Sequence, residues 1–400
     1  MRDVFICDAI RTPIGRFGGS LAPVRADDLA AVPISSLLKR SPELNPALID
    51  EIMLGCANQA GEDNRNVARM AGLLAGVPVS VPGVTYNRLC ASGLEAVGSA
   101  FRAIASGEME LIVAGGVESM SRAPFVMGKS ESAFSRSMVL EDTTIGWRFI
   151  NSKMKAMHGV DTMPQTADFV AKKYEISRAD QDAFALQSQT RAAHAQRTGY
   201  FAEEIVPVTI STKKGDVVVE HDEHIRADTT LDKLASLSPV NGPGNTVTAG
   251  NSSGVNDGAA AMLIASDAAV KRSGLTPRAR ILGMASAGLE PREMGYGPVP
   301  AIERLLSRLG MCIGDFQVIE INEAFASQSL AVARALELED TASHLNANGG
   351  AIALGHPLGM SGARLVMTAV HQLKRSGGKF ALVALCVGVG QGLAMAIEAV

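Results

Sequence analysis

Two thiols and one imidazole carry the most reactive chemistry in this chain. Cys90 lies in Asn87-Arg88-Leu89-Cys90-Ala91-Ser92-Gly93, Cys386 opens Cys386-Val387-Gly388-Val389-Gly390-Gln391-Gly392, and His356 sits in Gly355-His356-Pro357-Leu358-Gly359. A nucleophilic thiol, a second thiol and a histidine suffice for covalent acyl transfer coupled to proton transfer at carbon. Cys90 precedes an expected helix start, where unpaired N–H groups and the helix dipole favour thiolate over thiol. Cys386 ends an apolar strand and runs into glycines, which let bare backbone N–H groups approach a substrate oxygen. That glycine alternation also suggests a phosphate loop, but the third-glycine spacing is missing. Taken singly, each thiol reads more readily as a small core cysteine. The histidine reads equally well as a solvent-facing loop residue.

Further polar residues stand out against their surroundings. Pro357 keeps His356 out of the helical region, as suits a fixed acid, base or oxyanion donor. Asn322-Glu323-Ala324-Phe325 follows a buried strand; such a pair either caps a helix or positions water, and the cap is the plainer reading. His221 and His224 have H-x-x-H spacing without an evident third ligand. They are expected at the surface, and no metal site is expected.

The elements that must bring positions 90, 356 and 386 together repeat along the chain. Ile49 to Gln59 resembles Gly314 to Ala324, each a short buried strand followed by a polar turn. A Gly-rich helix start and an apolar run follow in both halves, Leu111 to Gly116 and Phe380 to Leu385. The fold class is therefore α/β, with two similar layered halves and parallel buried strands. Residues 1–120 with 251–272 form the first half and 273–400 the second. Between them, 121–250 is read as an inserted loop domain, with a polar helix starting at Ser177 and a charged strand-like piece from Lys213 to Arg226.

Composition limits the partners. The 400 residues are 47% hydrophobic, 20% charged and only 4% aromatic, which suits a globular chain with a largely aliphatic core. A net charge of −4 argues against a general nucleic-acid binder. The five cysteines, Cys7, Cys56, Cys90, Cys312 and Cys386, are far apart with no C-x-x-C pair, which fits a reducing compartment. No apolar run reaches the roughly 18 residues of a membrane span, so a cytoplasmic protein without membrane partners is expected.

Together the motifs resemble the thiolase family. The match spans the whole chain and keeps the family's order: the Cys90 segment, Asn322-Glu323-Ala324-Phe325, Gly355-His356-Pro357 and Cys386-Val387-Gly388, preceded by Arg11-Thr12-Pro13-Ile14-Gly15-Arg16-Phe17-Gly18-Gly19. The stretches Cys56 to Asn66 and Asp142 to Phe149 look like the branch acting on 3-oxoadipyl-CoA in aromatic-compound degradation. The resemblance implies a five-layer thiolase fold, an acyl-CoA substrate with no separate cofactor, and a homotetramer. It implies Cys90 as nucleophile, Cys386 as acid and base, and His356 as activator of Cys90. Asn322 would hold a water, and the amides of Cys90 and Gly388 would form a second oxyanion hole. Arg226, Ala249, Ser253 and Phe325 match positions at the coenzyme A pocket.

Where short-chain biosynthetic members carry His-Met-Gly, this chain has Thr162-Met163-Pro164, leaving Met163 as the pocket residue. A tail carboxylate wants a cation, and Arg122, Lys129, Arg136 and Arg148 are candidates. The alternatives are a general 3-ketoacyl-CoA or acetoacetyl-CoA thiolase, a decarboxylating condensing enzyme, and a non-catalytic acyl-CoA binder. The second cysteine argues against the condensing enzyme, and the intact triplet against the binder.

Overall fold

The computed structural model describes residues 2–400. Its main sheet runs Val318–Ile321, Phe380–Val387, Gln391–Ala399, Ala279–Gly288, Val4–Arg11, Asn256–Ser266, Leu111–Ser119, Glu51–Gly55, Gly83–Tyr86. Among the described residues, two residue pairs, Phe5 with Arg280 and Ile6 with Ala279, join its halves. Outward from that seam, both halves pair antiparallel, antiparallel, then parallel. Each half also breaks register at the same place, between Ile6 and Asp8 and between Ile281 and Gly283. The weak sequence repeat is thus a repeat of topology.

The expectation of parallel strands needs correction, because each half is mixed. Phe380–Val387 turns directly into Gln391–Ala399, and so short a connection permits only an antiparallel pair. Leu111–Ser119 and Asn256–Ser266 are buried at every position. A strand covered on both faces is uniformly apolar, so its pattern carries no direction.

Five layers follow from which faces are apolar. Helices Ser92–Ser106 and Leu358–Ser376 lie between the half-sheets, where Leu94, Val97, Leu365 and Val366 share a core with Met262, Ile264, Val383 and Leu385. Ala26–Arg40 and Val67–Leu74 cover the outer face of the first half through Leu29, Ile34 and Ala71. Pro298–Leu309 and Ala326–Ala335 cover the second through Ile302, Leu305 and Val332.

Between Ser121 and Gly250 lie helices and two small hairpins, and among the described residues no strand of this stretch joins the main sheet. Arg178–Arg197 starts as expected, with Ser177 Oγ accepting from the Asp180 amide at 3.1 Å. The charged strand-like piece is shorter than expected: Gly215–Val219 is the strand, and Asp222 beyond it turns inward. There Arg11 donates to Asp222 at 2.7 and 2.9 Å and to Glu204 at 2.9 Å, all three buried. This ion cluster fastens the stretch to the first strand. Among the described residues no helix is long and apolar enough to cross a membrane.

Candidate active site

Cys90 sits in a tight turn between the edge strand Gly83–Tyr86 and the central helix Ser92–Ser106. Asn87 Oδ1 accepts from the Leu89 amide at 2.9 Å, and Ser92 Oγ accepts from the Arg88 amide at 2.9 Å. Leu89 is held at φ +47°, a strained value for a branched side chain. Cys90 keeps 8% exposure as a residue and lines the cavity described below. Burial pushes it up to about 11, and the amide hydrogen bonds from Gly388 and from Cys90 itself lower it by less. The thiolate expected from the helix start is therefore corrected: desolvation outweighs the dipole, and Cys90 rests as a thiol.

His356 is buried, at 4% exposure, not turned to solvent. It lies between Gly355, at φ +103°, and the helix Leu358–Ser376. Its amide donates to Asn256 Oδ1 at 3.0 Å, and Asn256 Nδ2 donates to the Gly15 carbonyl at 3.0 Å. Burial, then the Arg364 charge, pushes the imidazole down to about 3, so the ring is neutral. The tautomer follows from Ser361. Its single hydroxyl proton goes to the Pro357 carbonyl at 2.8 Å, so Oγ must accept from His356 Nδ1–H at 2.6 Å. Nε2 keeps its lone pair, 3.4 Å from Asn322 Nδ2.

Asn322 follows the strand Val318–Ile321, fully buried, and its Oδ1 has no protein partner among the described residues. An open acceptor beside the imidazole suits a held water. The cap reading is overturned: the next helix begins at Ala326, with Phe325 at its N-cap and no side-chain cap bond. Glu323 instead accepts from Ser188 Oγ at 2.6 Å, Asn346 Nδ2 at 2.9 Å and the Ile352 amide at 3.2 Å, bracing the histidine loop.

Cys386 is the second-last residue of Phe380–Val387, buried against Val247, Met294, Ala324 and Phe325. Burial, reinforced by the neighbouring Cys90, raises its thiol far above the usual range, so it too rests protonated.

A cavity of about 410 Å³ opens at Cys90 and His356. Cys90, His356, Gly388, Met163, Ala249, Ser253 and Phe325 line it, together with Trp147 and Arg148. Ala249 and Ser253 come next to Phe325 because the Ser253 amide donates to the Ala324 carbonyl at 3.0 Å and Ser252 bridges Phe325. Cys386 and Asn322 lie behind this lining, and exposed Arg226 lies outside it. His224 is half-buried rather than fully exposed: it lies against Gly254, and burial and the Arg226 charge push it down to about 4. A larger, open groove of about 1100 Å³ near Asp161, Asp168 and Arg292 is lined by no cysteine or histidine.

Sequence reasoning missed Ser361, Asn256 and Glu118. Glu118 is a buried acid lining the cavity, pushed up to about 7 by burial despite accepting from the amides of Ala57, Asn58 and Gly359. Its only signal was an acid closing an all-apolar strand.

Comparison with known proteins covers the whole chain. The chain matches the family models for "Thiolase, N-terminal domain" over residues 4–268 and "Thiolase, C-terminal domain" over 275–399. It is 70% identical over 400 residues to a beta-ketoadipyl-CoA thiolase of Pseudomonas putida, covering 100% of both chains. It is 62% identical over 401 residues, again covering 100% of both, to the 3-oxoadipyl-CoA/3-oxo-5,6-dehydrosuberyl-CoA thiolase of Escherichia coli. Among solved structures, human mitochondrial 3-ketoacyl-CoA thiolase in complex with CoA aligns with TM-score 0.92 at 42% identity, over 100% of this chain and 98% of that one.

Proposed function

The chain belongs to the thiolase family, and we propose that it cleaves 3-oxoadipyl-CoA with coenzyme A to succinyl-CoA and acetyl-CoA in the degradation of aromatic compounds. The substrate rests on the near relatives named for it. The reaction rests on one observation above all: a thiol and a neutral imidazole, whose Nε2 lies 3.4 Å from Asn322 Nδ2, open onto one cavity beside the Gly388 backbone.

In the proposed mechanism Cys90 Sγ attacks the 3-keto carbon as His356 Nε2 takes its proton. The amides of Cys90 and Gly388 receive the developing oxyanion; losing one such donor typically costs roughly 100- to 1000-fold in rate. The bond between the second and third carbons then breaks, leaving succinyl on Cys90 and an acetyl-CoA enolate. His356 Nε2–H and a water on Asn322 hold the enolate oxygen, and the Cys386 thiol protonates its carbon. Coenzyme A gives its thiol proton to Cys386 and attacks the succinyl group. Cys90 leaves and recovers its proton from His356. A thiol kept neutral by burial suits the carbon acid, and a neutral imidazole suits the base. Ala249, Ser253, Phe325 and Met163 would flank the pantetheine arm, with Arg226 beyond the mouth.

The assembly we propose is a homotetramer in the cytoplasm. Its support is the large apolar side chains exposed between Phe125 and Ile150, among them Phe134 at 99% exposure, and five free cysteines. Light scattering that returned a monomer at working concentration would refute the tetramer. The substrate is tested by rates of thiolysis on 3-oxoadipyl-CoA, acetoacetyl-CoA and 3-oxohexanoyl-CoA. The expected result is highest kcat/KM on 3-oxoadipyl-CoA. Equal or faster cleavage of the uncharged substrates would mean a general thiolase.

A further inference from the structure

Two stretches far apart in sequence build one wall of the cavity. Asn58 Nδ2 donates to the carbonyl and hydroxyl of Thr143, both at 3.1 Å, and Thr143 Oγ1 donates to the Pro124 carbonyl at 2.6 Å. Further along, Trp147 Nε1 donates to the Asp161 carbonyl at 3.2 Å. The backbone from Thr143 to Trp147 is thus pinned at both ends, and it delivers Arg148 to the cavity. Among the described residues, Arg148 is the only lysine or arginine in the lining.

The other basic residues of this region are spent elsewhere or point away. Arg122 is paired with Glu62, while Lys129 and Arg136 are exposed and do not line the cavity. Among the described residues Arg148 has no ion pair within 4.0 Å and no side-chain hydrogen bond. Asp63, an acid that feels its charge, is buried and accepts from the Gly61 amide. Arg148 is half-buried without an ion pair, in a cavity lined, apart from the buried acid Glu118, mainly by apolar and hydroxyl side chains, which makes its guanidinium available as a carboxylate receptor. Arginine binds carboxylates through two parallel N–H bonds, and a buried carboxylate without such a partner is strongly disfavoured.

We propose that Arg148 is the specificity residue of this site, binding the terminal carboxylate of the acyl chain while its other end reacts at Cys90. This rests on the dicarboxylate substrate proposed above. The same pair persists through both half-reactions, because the succinyl group left on Cys90 keeps that carboxylate. An acyl chain ending in methyl would leave the guanidinium facing hydrocarbon, so the receptor selects against it as well as for the dicarboxylate.

The test compares 3-oxoadipyl-CoA with 3-oxohexanoyl-CoA, which differ only in carboxylate against methyl at the chain end. In Arg148→Gln the ratio of kcat/KM between the two is expected to fall on the order of 10- to 100-fold, the usual weight of a charged hydrogen-bonded contact. Arg148→Lys, which keeps the charge but not the fork, is expected to recover part of that ratio. Parallel losses on both substrates in Arg148→Gln would overturn the proposal, since they would assign Arg148 to coenzyme A or to bracing the loop. An unaltered ratio would overturn it too. Wild-type protein that cleaved both substrates equally would instead defeat the dicarboxylate reading itself, and the role of Arg148 with it.

Discussion

At the scale of single residues, the site works by keeping groups neutral. His356 is held near 3, against an ordinary value of 6.5 for the unfolded chain, because burial removes the water that would stabilise a charged ring. Between those values the unfolded chain binds the extra proton and the folded one does not. Stability from this group is therefore complete above pH 6.5 and is lost as pH falls toward 3, at up to about 1.4 kcal/mol per pH unit. His224, down to about 4, adds the same sign over a narrower window. His356→Gln should accordingly lose less stability than wild type between pH 7 and pH 5, as read from urea midpoints. Identical losses would place a proton on the native ring. Both thiols and this histidine were legible in sequence because each breaks a pattern: a strand end, a helix start, a glycine run before proline. Ser361 and Asn256 were not, because what makes them matter is the partner across space, which no local pattern records.

At the scale of elements, the catalytic geometry depends on how closely Leu358–Ser376 approaches the first half-sheet. A Cβ on Gly116 would overlap the Gly359 carbonyl oxygen, and one on Gly359 would overlap the Val117 carbonyl. The Gly359 amide, at the helix start, donates to Glu118 at 2.8 Å, locking the helix end that follows His356 to the strand beside Cys90. Gly116→Ala should therefore push the helix outward, costing about 1 to 3 kcal/mol in stability and lowering kcat more than the KM for coenzyme A. A thermal midpoint and kcat equal to wild type would show that the contact has slack. The repeat of strand, turn and helix was readable from Ile49 to Gln59 and Gly314 to Ala324. Strand direction was not, since Leu111–Ser119 and Asn256–Ser266 are apolar on both faces whichever way they run.

At the scale of the whole molecule, two halves of like topology each deliver part of the proposed site. The first supplies Cys90 from the end of its edge-strand turn, and the second supplies Cys386, Asn322 and His356 from strand ends and a loop. The stretch from Ser121 to Gly250, fastened by Arg11, Asp222 and Glu204, contributes Met163, Trp147 and Arg148 to the cavity over them. Its apolar surface suits contact with further copies of the chain. The central claim is that Cys90 alone carries the acyl group while His356 and Cys386 move the protons. Its most direct test is peptide mass mapping of protein quenched after mixing with 3-oxoadipyl-CoA in the absence of coenzyme A. The account predicts one succinyl group on the peptide containing Cys90, discharged when coenzyme A is added and absent from Cys90→Ala. A succinyl group on Cys386, or thiolysis undiminished in Cys90→Ala, would contradict it.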